Sequence, residues 1–354
     1  MQKHNFSAGP CVLPKPVIEK AAEAVKNLNN SNLSILEISH RSAPFVKVMQ
    51  TAQNLVLELM ELDSKDYSVL FLQGGASLEF LMVPYNLMPL NGTAAYLDTG
   101  TWSSKAIKET KKLGNVEIVA SSKDKNYNYI PKNYQVSEKV SYFHVTSNNT
   151  IFGTQIKNFP DVRVPLVCDM SSDIFSRQMD FSKFDLIYAG AQKNMGPAGT
   201  TLVVVRKSIL GKTERDIPSM LDYQVHIAKD SMFNTPAVFA VYTSMLDLQW
   251  LKDMGGISAI EKINKAKANL LYNEIDENPL FKGTAEKEDR SNMNATFVLT
   301  DESYKERFDK LCADAGIVGI NGHRSVGGYR ASMYNALTLE SVEVLVAQMK
   351  KLNK

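Results

Sequence analysis

The sequence predicts an α/β protein with a largely parallel sheet sandwiched by helices. Short apolar or β-branched runs alternate with stretches of helical period along the first two thirds of the chain. No internal repeat, low-complexity tract or long Gly/Ser linker interrupts that rhythm. The 354 residues are enough for two cores.

The elements follow in order. Val17, Ile18, Ala21, Val25 and Leu28 mark one amphipathic helix after a Pro-rich start, and Val48, Met49, Ala52, Leu55, Val56 and Leu59 mark a second. A strand at 68–72 enters Gln73-Gly74-Gly75-Ala76-Ser77, and a helix follows over 78–88. Further strands are expected at 94–97, 116–120, 140–145, 165–168, 186–189 and 202–205, with a helix at 102–113. The close spacing of the last two strands fits a hairpin, so one strand should be antiparallel. After Thr235-Pro236 the pattern turns helical over 238–253 and 257–278, broken by Gly255-Gly256. The tail reads strand 295–299, helix 303–315, strands 317–320 and 329–334, helix 339–352, a smaller α/β unit. The division expected is a large domain over 16–255 and a small one over 256–354, joined by an N-terminal arm, 1–15.

Composition excludes several classes of function. Hydrophobic residues at 44% and charged residues at 22% are ordinary for a soluble globular chain, and a net charge of +2 gives no electrostatic case for nucleic acid or an anionic membrane. Cys11, Cys168 and Cys312 are scattered, without the spacing of a disulfide framework or a zinc site, so no metal is expected. The N-terminus has no signal-like apolar core and no apolar run reaches membrane-spanning length, which points to the cytoplasm. Only nine of the 40 basic residues are arginine, and Arg41, Arg324 and Arg330 fall in Gly-, His- or Ser-rich surroundings. Guanidinium groups grip carboxylate and phosphate bidentately, which lysine cannot do.

Lys193 lies in Ala191-Gln192-Lys193-Asn194-Met195-Gly196-Pro197, between two core strands. By itself it reads more readily as a solvated hairpin lysine; burial would make it a nucleophilic amine. Gln73-Gly74-Gly75-Ala76-Ser77 sits where a strand hands over to a helix, a place for an anion, but lacks the spacing of a dinucleotide site or a P-loop. Asp169 ends a buried strand and needs either a cation or donors from Ser171 and Ser172. Trp102 starts a helix at a second strand-to-helix junction, where it is either a core aromatic or a platform for a flat ring. The pairs His40-Arg41 and His323-Arg324, with Arg330, suit a doubly anionic substrate; any one of these arginines alone could be structural. A Schiff-base lysine, an acid for a ring nitrogen and a phosphate cradle are the three requirements of a pyridoxal phosphate enzyme.

Over nearly its whole length the chain resembles the phosphoserine aminotransferase family, class V aminotransferases of fold type I (the aspartate aminotransferase fold). The resemblance rests on Asn5-Phe6-Ser7-Ala8-Gly9-Pro10, Ile38-Ser39-His40-Arg41-Ser42, Phe71-Leu72-Gln73-Gly74-Gly75, the segment around Lys193, Asn234-Thr235-Pro236, and Gly322-His323-Arg324-Ser325-Val326-Gly327-Gly328 with Arg330-Ala331-Ser332. It implies pyridoxal 5'-phosphate as cofactor, with Lys193 as the Schiff-base lysine and proton carrier. Asp169 would bind the ring nitrogen, Thr150 the phenolic oxygen, and Trp102 would stack on the ring. Ala76, Ser77 and Gln192 would hold the cofactor phosphate, together with Asn234 and Thr235 of a neighbouring subunit, so a homodimer is implied. His40, Arg41, His323, Arg324 and Arg330 would bind the substrate.

The implied reaction is transamination between L-glutamate and 3-phosphohydroxypyruvate, giving O-phospho-L-serine and 2-oxoglutarate, for serine biosynthesis. Some family members also form 4-phosphooxy-L-threonine for pyridoxine synthesis. One departure stands out: many members carry a further Gly and a basic or small residue where this chain has Ala76-Ser77. Two rivals remain, a class V aminotransferase using alanine, serine or a phosphonate, and a non-catalytic phosphate-ligand-binding protein on the same scaffold.

Overall fold

The computed structural model describes residues 2–353. The chain runs β1 (His4–Asn5), α1 (Lys15–Lys26), α2 (Ala43–Met60), β2 (Tyr67–Leu72), α3 (Gly75–Leu87), β3 (Thr93–Asp98), α4 (Thr101–Thr110) and β4 (Asn115–Ser121). Next come β5 (Phe143–Thr146), β6 (Leu166–Asp169), β7 (Leu186–Gly190), β8 (Thr201–Arg206), α5 (Tyr223–Ile227), α6 (Val238–Asp253) and α7 (Gly256–Glu277). The remainder is β9 (Phe281–Gly283), β10 (Asn294–Leu299), α8 (Lys305–Asp314), β11 (Ile317–Val318), β12 (Tyr329–Ser332) and α9 (Leu339–Leu352).

Seven strands form the central sheet in the order β2-β8-β7-β6-β5-β3-β4. Strand β8 alone runs against its neighbours, β2 and β7, and every other pairing is parallel. The expected α/β fold and the antiparallel hairpin around Lys193 are both present. Side chains alternate between two apolar faces. Phe71, Val145, Cys168 and Val204 pack under α1, α2 and α6, whereas Leu72, Val167, Tyr188 and Val203 pack under α3, α4 and α5. Burial on both faces explains why these strands read as continuous apolar runs rather than as alternating ones.

A third core lies beneath the antiparallel sheet β12-β10-β9, where Phe297, Tyr329 and Ala331 meet α8, α9 and the second half of α7. Helix α7 enters both cores: Ile257 and Ile260 pack on the large sheet, Leu271 and Ile275 on the small one. The N-terminal residues join the second unit, since β1 pairs with β11 and Phe6 is fully buried there.

Three local differences from the sequence reading have physical causes. Helix α2 begins at Ala43, five residues before the first apolar repeat, because Pro44 is favourable in a first turn. Helix α3 begins at Gly75 rather than 78; Gly74, at φ 97°, makes the turn, and a side chain there would strike Leu78. The strand expected at 317–320 shrinks to Ile317–Val318, because its only pairing is with the two-residue β1.

The topology places the site. Strands β2, β3, β5, β6 and β7 share one direction, so their carboxyl ends deliver Gln73, Gly100, Thr150, Asp169 and Lys193 to a single edge of the sheet.

Candidate active site

Lys193 occupies the turn between β7 and β8, and its Nζ donates to the Thr150 hydroxyl at 2.9 Å. Burial lowers its pKa to about 8, opposed by the Asp169 carboxylate and reinforced by the Arg330 charge. The N-terminal arm braces the lysine from behind. Cys11 Sγ donates to the Lys193 carbonyl at 2.9 Å, and a Cβ on Gly9 would come within 3.3 Å of Lys193 Cγ. A free amine fraction near neutrality follows from this placement, which the sequence alone did not require.

Asp169 is the last residue of β6 and is only 5% exposed. Burial raises its pKa, while the Ser171 hydrogen bonds and the Lys193 charge hold it down. One carboxylate oxygen accepts from the Ser171 amide at 2.9 Å. Both readings of Asp169 therefore hold at once: it caps the following turn and also stands within electrostatic reach of Lys193.

Thr150 is fixed by its neighbour. Asn149 Oδ1 accepts from the amides of Ile151 and Phe152 at 3.2 and 3.3 Å, while Asn149 Nδ2 donates to the Thr99 carbonyl. Asn149 thereby ties the Thr150 turn to the start of α4, where Trp102 lies with its ring centre 5.7 Å from Lys193 Nζ. The indole is partly buried, and its Nε1 has no hydrogen-bond partner among the described residues. From the second unit, Arg330 on β12 reaches across to donate from Nη1 to the Thr150 carbonyl at 3.4 Å, leaving its buried Nε unpartnered.

A polar seam beneath these groups joins the two units. Asn148 donates to Ser172 Oγ at 2.9 Å and to Asn294 Oδ1 at 2.8 Å, and Asn294 donates to Ser332 Oγ at 2.9 Å. Asn194, next to Lys193, accepts from the Asn335 amide at 3.0 Å. Asn148 and Asn294 are nearly inaccessible, so these pairings cannot be replaced by water without cost. Sequence reasoning missed the asparagines, because a buried amide carries no periodic signal.

The anion-binding candidates are different in kind. His323 and Arg324 lie in the loop before β12; Arg324 is exposed, and His323 Nδ1 lies 2.6 Å from Ser325 Oγ. The pKa of His323 is lowered by burial first, then by the charges of Arg330, Arg324 and Lys105. Four other arginines (163, 177, 206 and 290) sit in ion pairs, but Arg41, Arg324 and Arg330 have no such partner among the described residues. His40 and Arg41 lie in the turn before α2 and make no hydrogen bond to the Lys193 cluster. Asn234 and Thr235 instead meet Gln73, at 3.0 Å each.

The residues fit the group that the resemblance implies. No side chain caps the start of α3, so the amides around Ala76 and Ser77 are free for an anion, and a Cβ on Gly75 would meet nothing within 4 Å. Gln192, partly exposed, lies in the Lys193 turn with its side chain close to Gly9 and Gly190. A reactive amine, a buried carboxylate, an indole face and an uncapped helix start form the donor set a phosphorylated pyridine aldehyde needs.

Comparison with known proteins decides the family. The model for aminotransferase class-V matches residues 3–345. A phosphoserine aminotransferase of Flavobacterium psychrophilum is 70% identical over 352 residues, covering 99% of each chain. The chain belongs to the phosphoserine aminotransferase family of class V. Among solved relatives, a phosphoserine aminotransferase studied for radiation damage of its Schiff base superposes with a TM-score of 0.96 at 47% identity, covering 100% of this chain and 99% of its own. The PLP-bound phosphoserine aminotransferase of Trichomonas vaginalis gives 0.93 at 36% identity, covering 99% of this chain and 100% of its own. The fold is accordingly that of these pyridoxal phosphate-dependent family members, as the sequence implied. No helix among the described residues is long and apolar enough to cross a membrane.

Proposed function

We propose that this chain is a pyridoxal phosphate-dependent phosphoserine transaminase, converting L-glutamate and 3-phosphohydroxypyruvate reversibly to 2-oxoglutarate and O-phospho-L-serine. The observation that carries this reading is the meeting of Lys193, Thr150 and Asp169 with an unpaired guanidinium, Arg330, at one sheet edge. Bound there, pyridoxal phosphate supplies the electron sink that makes an amino acid's Cα–H bond acidic and carries the amino group between two substrates.

The protein's residues do the rest. Lys193 Nζ, with a pKa near 8, accepts the Cα proton and returns it, and Thr150 Oγ1 orients that nitrogen. Asp169 holds a negative charge against a protonated ring nitrogen, and Trp102 covers a ring face. Ala76, Ser77 and Gln192 cradle the cofactor phosphate. Arg330 binds the substrate carboxylate, and His323 and Arg324 bind its phosphate.

The active unit we propose is a homodimer. His40, Arg41, Asn234 and Thr235 make no hydrogen bond to Lys193, Thr150 or Asp169 within one chain, and Leu36, 62% exposed, precedes the His40-Arg41 turn. These residues would complete the site of the neighbouring subunit. We assign 16–255 to a large cofactor-binding domain and 256–354, with arm 1–15, to a small C-terminal domain. Three free cysteines suit a reducing cytoplasm.

A coupled assay with glutamate as donor tests the reading by comparing 3-phosphohydroxypyruvate, its four-carbon phosphorylated homologue and unphosphorylated hydroxypyruvate. Preference for the first is expected. Comparable use of the second would add 4-phosphooxy-L-threonine formation for pyridoxine synthesis, and preference for hydroxypyruvate would reject the phosphorylated substrate.

A further inference from the structure

Ala76 and Ser77 leave the start of α3 without a basic side chain, but Lys105 of α4 sets a cation beside Trp102. Lys105, one turn beyond Trp102, holds its Nζ 4.7 Å from the centre of the indole ring that Lys193 Nζ approaches at 5.7 Å. It is exposed, and among the described residues it has neither an ion-pair nor a hydrogen-bond partner. Its charge also falls on His323, alongside those of Arg324 and Arg330. Two separate elements, α4 and the loop leading into β12, thus bring like charges to bear on His323. Such a cluster repels itself until an anion enters.

We propose that Lys105 is a substrate-binding residue that completes the grip on the phosphate of the phosphorylated 2-oxo acid, in place of the basic side chain absent at Ala76-Ser77. The inference rests on the phosphoserine-type reading above. The Trp102 face holds the ammonium at 4.7 Å, and the flexible lysine stem lets it move to a dianion. A phosphate dianion draws on this charge more strongly than the single charge at the end of a glutamate side chain.

Steady-state kinetics of the holoenzyme test this with Lys105→Met, which keeps most of the stem, and Lys105→Arg, which keeps the charge. Lys105→Met should raise KM for 3-phosphohydroxypyruvate about tenfold and weaken competitive inhibition by inorganic phosphate by a similar factor. KM for glutamate and kcat should change much less, and Lys105→Arg should restore the phosphate effects. If the wild type strongly prefers the phosphorylated oxo acid and Lys105→Met keeps both that KM and the phosphate inhibition, Lys105 is excluded while the reaction stands. Equal rises in both KM values with an altered cofactor spectrum would reduce Lys105 to a support for Trp102. A wild type indifferent to the phosphate would overturn the parent reading and this proposal together.

Discussion

The two ends of the crevice are built in opposite ways. At the cofactor end, Lys193, Thr150 and Asp169 come from the carboxyl ends of buried strands, and each is held by a partner already present in the chain. At the anion end, Arg324 stands on an exposed loop without an ion-pair partner among the described residues, and Arg330 bonds only to a backbone carbonyl. We propose that the first end moves the proton and that, at the second, substrate supplies the charge that the chain leaves unpaired. Chemistry and selectivity should therefore be separable by substitution.

The largest effect is expected at the lysine. Lys193→Ala should abolish the visible absorbance of the bound cofactor and lower turnover by about 10⁴-fold or more. Asp169→Asn, which keeps shape and removes charge, should lower kcat by roughly 10²–10³-fold, measured by stopped-flow single turnover with glutamate. The same variant sharpens the electrostatic account. In the cofactor-free protein, cofactor uptake needs the neutral amine, so its rate should rise about tenfold per pH unit and level off above about pH 8. Asp169 raises the lysine pKa, so its removal should move that plateau to lower pH; a move upward would reverse the assigned sign.

At the anion end, Arg330→Ala should raise substrate KM by about 10–100-fold with the cofactor spectrum kept. The smallest effects concern stability, and there the ranking of the two ends should invert. Asn294→Ala in the buried seam should cost about 1–3 kcal/mol in denaturant unfolding, whereas exposed Arg324→Ala should stay within about 0.5 kcal/mol. Equal losses would mean that the seam is not holding the two units in register.

Legibility in the sequence follows the same division. Strands β6, β7 and β8 were readable because burial on both faces forces continuous apolar runs, and the short spacing across Lys193 announced the hairpin. Residues at strand ends, such as Asp169, were then placed by topology alone. Strands β1 and β9, two and three residues long, left no pattern, since so short a strand is set by its partner. Asn149 and Asn294 were invisible for a related reason: their work is done through partners 50 and 38 residues away in sequence, at Thr99 and Ser332. Lys105 did leave a trace, one helical turn from Trp102, but a lysine on a surface helix carries no message until the loop opposite it is known.

The separation of the two ends is tested most directly in Arg324→Ala. The quantity to measure is the ratio of kcat/KM for 3-phosphohydroxypyruvate to that for hydroxypyruvate, in protein whose cofactor absorbance has been checked. The account predicts an unaltered spectrum and a ratio that falls by about tenfold or more relative to the wild type. An unchanged ratio, or a lost spectrum, would contradict it.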